Sequence, residues 1–212
     1  MPQWMRLGLI VLGASCTPSP TDATPSDATP PPRGASAAAA PSPTMNPPLT
    51  SRTIDLGVVA SSFRAVDDRV MGGVSHSRFT RHADGHGVFS GDVSLEQNGG
   101  FASVRAQLEG LDLEGFSRVT LRFRGDGKRY KLRFRDATRR DGILHEMAFP
   151  TEDDVWREQT FALDDFRPVW RGRLVADAGP LTRGPVRSVS FLVSDAQVGR
   201  FRLDVDWLRF DP

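Results

Sequence analysis

The chain has 212 residues, 27 basic against 26 acidic side chains and a single cysteine, so no disulfide framework can hold it together. Eleven of its 16 prolines stand in the first 50 residues and all 13 phenylalanines after residue 60, which separates a front without core-forming side chains from a body of about 160 residues able to bury its own core. Positions 51–212 hold 25 basic and 24 acidic groups, and this balance excludes the basic excess of a phosphate-neutralising nucleic-acid binder, a polybasic membrane patch and an acidic tail. In chain order, residues 1–16 read as a secretory signal, with Arg6 before an apolar run from Leu7 to Ala14 that is too short to span a bilayer. Its end, Leu12-Gly13-Ala14-Ser15-Cys16, is similar to the bacterial lipoprotein box, with Cys16 at the lipidated position and Gly13 where the box usually has leucine. Translation begins at Met1 or Met5; either way the expected location is the bacterial cell envelope, lipid-anchored or else periplasmic or secreted, with the lipid as the only membrane contact. Residues 17–50 are rich in Pro, Ser, Ala and Thr and cannot offset the entropy of ordering, which predicts a disordered spacer.

From Ser51 onward apolar and polar residues alternate with period two, interrupted by Gly, Asp and Asn about every eight to twelve positions. Strands are predicted at 75–81, 88–93, 101–106, 118–124, 130–134, 144–149, 159–162, 186–193 and 201–207. Gly125-Asp126-Gly127-Lys128 predicts a hairpin between two of them, and a single helical turn is predicted at Leu163-Asp164-Asp165-Phe166 before Arg167-Pro168. The alternation ending at Trp207 slips before Leu208 and Phe210, which predicts a bulge. The fold class is therefore all-β, a sandwich of about nine or ten strands over residues 51–212.

The run Asp67-Asp68-Arg69-Val70-Met71-Gly72-Gly73-Val74-Ser75 has no such alternation. Two carboxylates, paired glycines and a serine suit a loop that presents polar groups, or a turn in which they cap backbone groups with Met71 packed inward. This run resembles the signature of the complex I intermediate-associated protein 30 family. Further landmarks agree in order: Phe89-Ser90-Gly91, the stretch from Leu95 through Asn98, Gly99, Gly100 and Phe101 to Arg105, Arg124 to Tyr130, Trp156 with Phe161, and Ser194-Asp195 ahead of Gly199-Arg200-Phe201. The resemblance covers roughly residues 54–210 and implies a galactose-binding-like jelly roll, a scaffold shared with many carbohydrate-binding modules. Known members help assemble respiratory complex I in mitochondria, and plant relatives act in photosystem assembly. An envelope lipoprotein lies outside the compartment of the complex I matrix arm, so what the resemblance implies is non-catalytic binding, to a protein partner or to a glycan.

Enzyme signatures are weak. Gly73-Val74-Ser75-His76-Ser77 approaches a nucleophile elbow but ends in serine and lacks the strand-to-helix setting. His82 and His86 flank the turn Ala83-Asp84-Gly85 and read as a solvated pair rather than zinc ligands. No glycine pattern for a phosphate or dinucleotide is present, so neither metal nor cofactor is expected. Arg118, Arg122, Arg124, Arg133 and Arg135 suggest a basic strand face. The candidate binding residues are Asp67, Asp68, Met71, Gly72, Gly73, Ser75, Asn98, Gly100, Phe101, Tyr130 and Trp156. Tyr130 and Trp156, with Trp170, offer faces on which a sugar ring stacks.

Overall fold

A computed structural model describes residues 50–137 and 142–212. The signal, Cys16 and almost all of the spacer lie outside the described residues. Thirteen strands form among them: β1 (Arg52–Asp55), β2 (Phe63–Ala65), β3 (His76–Arg81), β4 (Gly87–Val93), β5 (Ala102–Gln107), β6 (Arg118–Arg124), β7 (Arg129–Asp136), β8 (Leu144–Pro150), β9 (Trp156–Ala162), β10 (Arg167–Trp170), β11 (Arg173–Leu174), β12 (Val186–Val193) and β13 (Gly199–Asp211). The four beyond the predicted nine, β1, β2, β10 and β11, have two to four residues each, too few for alternation to register.

One sheet has six strands, ordered β3-β4-β13-β6-β9 with β1 also paired to β13, and the other has seven, ordered β11-β10-β8-β7-β12-β5-β2. All named pairings are antiparallel. The period-two pattern explains the layering, since each strand turns one face inward. Val119, Leu121 and Phe123 of β6 with Phe201, Leu203 and Val205 of β13 supply one wall of the core. Val104, Leu132, Phe134, Val189 and Phe191 supply the other. Aromatic rings bridge the walls: Phe123 lies 4.8 Å from Phe149, and Phe134 lies 5.9 Å from Phe210.

The bulge is where the alternation slips. Val205 pairs with Phe123 and Leu208 with Leu121, so Asp206 and Trp207 together oppose Arg122 and the chain rotates to return Leu208 and Phe210 to the core. A 3-10 turn at Leu163–Asp165 stands where the helical turn is predicted. The predicted hairpin at Gly125-Lys128 is corrected: β6 belongs to the six-stranded sheet and β7 to the seven-stranded one, so this turn crosses between sheets. Alternation reports that both strands bury one face but not which sheet each joins. Asp126 holds the crossing, accepting from the Lys128 amide at 3.1 Å, the Tyr130 hydroxyl at 2.9 Å and the Arg202 amide at 3.0 Å.

Candidate functional site

The signature run is a clamp. Asp67 and Asp68 are buried, and every carboxylate oxygen is engaged. Asp67 accepts from the Ser77 amide at 2.9 Å, the Ser77 hydroxyl at 2.6 Å and the Ser103 amide at 2.9 Å. Asp68 accepts from the amide and hydroxyl of Ser75 and from the amides of Gly100, at 2.8 Å, and Phe101. Burial works to raise the Asp68 pKa, but these hydrogen bonds outweigh it and hold the carboxyl below its ordinary range. The two side chains thus staple one loop to the starts of β3 and β5. Gly72, at φ 94°, closes the 3-10 turn Asp68–Met71 in the left-handed region, and a Cβ on Gly73 would collide with the Asp68 carboxylate.

What the clamp displays is apolar. Val70 is 71% exposed and Met71 66%, with Val74 exposed on the same loop and Leu95 on the loop that carries Gly100. The inward-packed Met71 of the turn reading is therefore corrected: the clamp spends the inward positions of this loop on Asp68. Val70 and Met71 rise at the side of a groove of about 580 Å³ on the outer face of the seven-stranded sheet, with Phe101, Leu192, Lys131 and Arg133 in its lining and Arg171-Gly172 opposite. Lys131 pairs with Asp195 at 2.9 Å and Arg133 with Glu146. Burial works to raise the Asp195 pKa, and the Lys131 hydrogen bond keeps it lowered. Trp170, 44% exposed, carries the Arg171 guanidinium over its ring at 4.6 Å.

The remaining candidates divide. Ser75, Gly72, Gly73 and Gly100 serve the clamp, and Met71 and Phe101 line the groove. Asn98 sits at φ 60° in the 3-10 turn Glu96–Asn98. Tyr130 is fully buried and belongs to the core; burial and the neighbouring Asp126 push its phenol far up. Trp156 stands on the other sheet, between the guanidiniums of Arg122 at 5.3 Å and Arg124 at 5.2 Å and edge-on to His86 at 5.3 Å.

The histidine pair also needs correction, because the turn between β3 and β4 stacks the two rings at 4.5 Å and His86 is buried. Burial holds the His86 pKa down, and His82 and Arg124 add to the effect against the attraction of Asp204. His82, Asp84 and His86 bring one ligand atom each within 4.8 Å of one another. Stacked rings hold their in-plane lone pairs parallel rather than convergent, so the rings would have to turn to share a cation.

Sequence reasoning missed Val70, Leu192 and Arg171. The alternation of Lys131 and Arg133 with Leu132 already placed those two outward, whereas Val186–Val193 is buried almost throughout and hides which of its residues face the groove.

Comparison with known proteins bears on the fold and the family. A family 11 carbohydrate-binding module from Clostridium thermocellum in complex with a β-1,3-1,4-mixed-linked tetrasaccharide has 14% identity and a TM-score of 0.55, over 74% of this chain and 94% of that one. The family 11 module of the cellulosomal cellulase Lic26A-Cel5E from the same organism gives a TM-score of 0.54 at 14% identity, over 76% and 94%. At this identity the likeness establishes the jelly-roll β-sandwich alone. No curated protein matches the chain in sequence. The family model for complex I intermediate-associated protein 30 matches residues 56–205, from just after β1 into β13, and the chain belongs to that family.

Proposed function

We propose that this protein is a non-catalytic binding module, held at the bacterial cell envelope by a lipid on Cys16, that docks a protein partner on the Val70–Met71 crest and assists assembly of a membrane complex. The observation that carries the reading is the exposure of two large apolar side chains on a loop that buried hydrogen bonds hold rigid. A preorganised apolar anchor loses little entropy on docking, which is what a binding surface requires. The family's role in complex assembly supports the same reading, and the signal-like residues 1–16 motivate the envelope location.

The test places a photo-crosslinking amino acid at Met71 in the native host, with the same group at Arg118 on the opposite sheet as control. A discrete crosslinked species from position 71 alone supports docking there; no species, or the same species from both positions, overturns it. Intact mass of the chain beside Cys16→Ser tests the anchor, which requires a lipid-sized difference.

A second reading, glycan binding, is favoured by the fold shared with the tetrasaccharide-bound module and by Trp170 and Arg171 at the groove's edge. Mixed-linked β-glucan retarding the protein in affinity electrophoresis, and failing to retard Trp170→Ala, would select it over the protein partner.

A further inference from the structure

The same sheet face changes character four residues along β12 from Leu192. Ser188 stands between Gln107 of β5 and Arg135 of β7. With Arg105 and Arg187 these residues line a pocket of about 250 Å³. The neighbouring row sets Arg64, Arg105, Ser190, Arg133 and Glu146 side by side across five strands. Its one carboxylate is already engaged, since Glu146 accepts from Arg133 Nε at 2.8 Å and lies 4.0 Å from Lys131. Among the described residues no carboxylate forms an ion pair with Arg105, Arg135 or Arg187, and the nearest acid pairs on this face are those of Arg133 and Lys131. Two buried polar atoms, Arg135 Nε and the hydroxyl oxygen of Ser188, have no hydrogen-bond partner, although Ser188 is only 2% exposed. Burial, then Arg135, then Arg133 push the Arg105 guanidinium below its ordinary value.

Like charges gathered in a half-buried place, with donors unused, cost stability, and a strand face chosen only for solubility does not need them. An oxyanion answers all of these features together, because the planar guanidinium fork matches two carboxylate oxygens and Ser188 and Gln107 add neutral donors. We propose that this pocket is an oxyanion site that takes a side-chain carboxylate of an acidic protein segment lying along the sheet from the Met71 crest. The proposal rests on the docking reading above for the class of its occupant. Four residues of strand span about 13 Å, so an extended segment places an acidic side chain about four positions from its apolar anchor, on the same side of the chain. A sugar acid fits less well, since the pocket's lining of Arg, Gln and Ser offers no aromatic plane for a ring.

The test uses the full chain carrying Cys16→Ser, labelled for observation of the arginine Nε–Hε resonances. It is titrated with a synthetic decapeptide bearing Leu and, four residues on, Glu, and separately with the peptide in which Gln replaces that Glu. Expected are shifts of the Arg105 and Arg135 signals with the Glu peptide, a loss of at least tenfold in affinity with Gln at that position, and a similar loss in the Arg105→Gln, Arg135→Gln double variant. Equal binding of both peptides, equal binding by the double variant, or no shift up to about 10 mM peptide would overturn the site. Shifts produced by galacturonate oligomers and not by the Glu peptide would overturn the protein carrier. Arg105→Gln alone is expected to keep or raise the melting temperature, because it relieves repulsion; a clear fall would assign the cluster to the scaffold and overturn the proposal. The two readings fail separately. A Met71 crosslink that persists while the titration fails removes the oxyanion site and leaves docking in place. A titration that succeeds while the crosslink is absent removes docking and leaves the site.

Discussion

The two outer faces of the sandwich carry comparable numbers of arginines and treat them differently. On the six-stranded sheet the central ones are matched, although Arg78, Arg81 and Arg200 form no ion pair among the described residues. Arg122 meets Asp206 at 3.1 Å and Glu158 at 3.5 Å, Arg124 meets Asp204 at 2.6 Å and Asp154 at 3.2 Å, and Arg202 meets Asp204 at 2.8 Å. Trp156 and His86 cover the centre of that network. On the seven-stranded sheet Arg105, Arg135 and Arg187 share a pocket without a carboxylate, next to an apolar crest that nothing in the described chain covers. The near-zero net charge of the whole chain therefore does not exclude a local cluster of unpaired arginines. The difference is in the centre of each face: an acid-paired network on one, and on the other the unpaired arginines beside the crest to which the proposed docking assigns a partner.

The comparison breaks most visibly at the clamp that joins the faces. Asp68→Ala leaves three buried or part-buried amides without their acceptor and the Ser75 hydroxyl with only the Ser94 carbonyl, and the expected loss is about 3 kcal/mol of stability, read by denaturant or thermal melting. Asp204→Ala strips the matched face of its central acid; because Arg202 and Arg124 retain access to water, about 2 kcal/mol is expected. Burial alone would raise the Asp204 pKa, but hydrogen bonds from Arg202 and Arg124 keep it low, as the clamp does for Asp68. Folded values below the unfolded ones mean that both carboxylates contribute stability in full above about pH 4 and lose it as pH falls through their folded values. Acid melting should therefore steepen below pH 4, and less so in Asp68→Asn.

His86 acts in a higher window. Its folded pKa lies below 6.5, so its contribution is complete above 6.5 and declines as pH falls from there. Stability is expected to fall between pH 6.5 and pH 5, and His86→Phe should flatten that part of the melting profile. The smallest effect on stability belongs to the crest: Val70→Ser with Met71→Ser is expected to change it by less than about 0.5 kcal/mol, since both side chains already face water.

Much of the fold was legible from alternation. The bulge at Trp207 and the turn at Leu163 could be placed because each interrupts a pattern that is otherwise regular. Sheet membership was not legible, since Val119-Leu121-Phe123 and Tyr130-Leu132-Phe134 read alike whether their strands pair with one another or face each other across the core. The signature was recognisable as a loop, but its division of labour was not. Spacing left Asp67 and Asp68 open between presenting acceptors and capping backbone groups until burial assigned them to amides 7 to 36 residues away, and the Met71 that the capping alternative packed inward is exposed. The free arginines were hidden because pairing depends on neighbours across strands, which spacing along one strand cannot supply: Arg122 and Arg135 look equivalent in sequence, and one has two acids while the other has none.

The most direct test of this account compares Val70→Ser/Met71→Ser with the unaltered chain for melting temperature and for crosslinked or co-purified envelope proteins under the same conditions. The account predicts an unchanged melting temperature and loss of the partner. An unchanged partner at an unchanged melting temperature would contradict it, showing that the crest the clamp displays is not what the protein binds with.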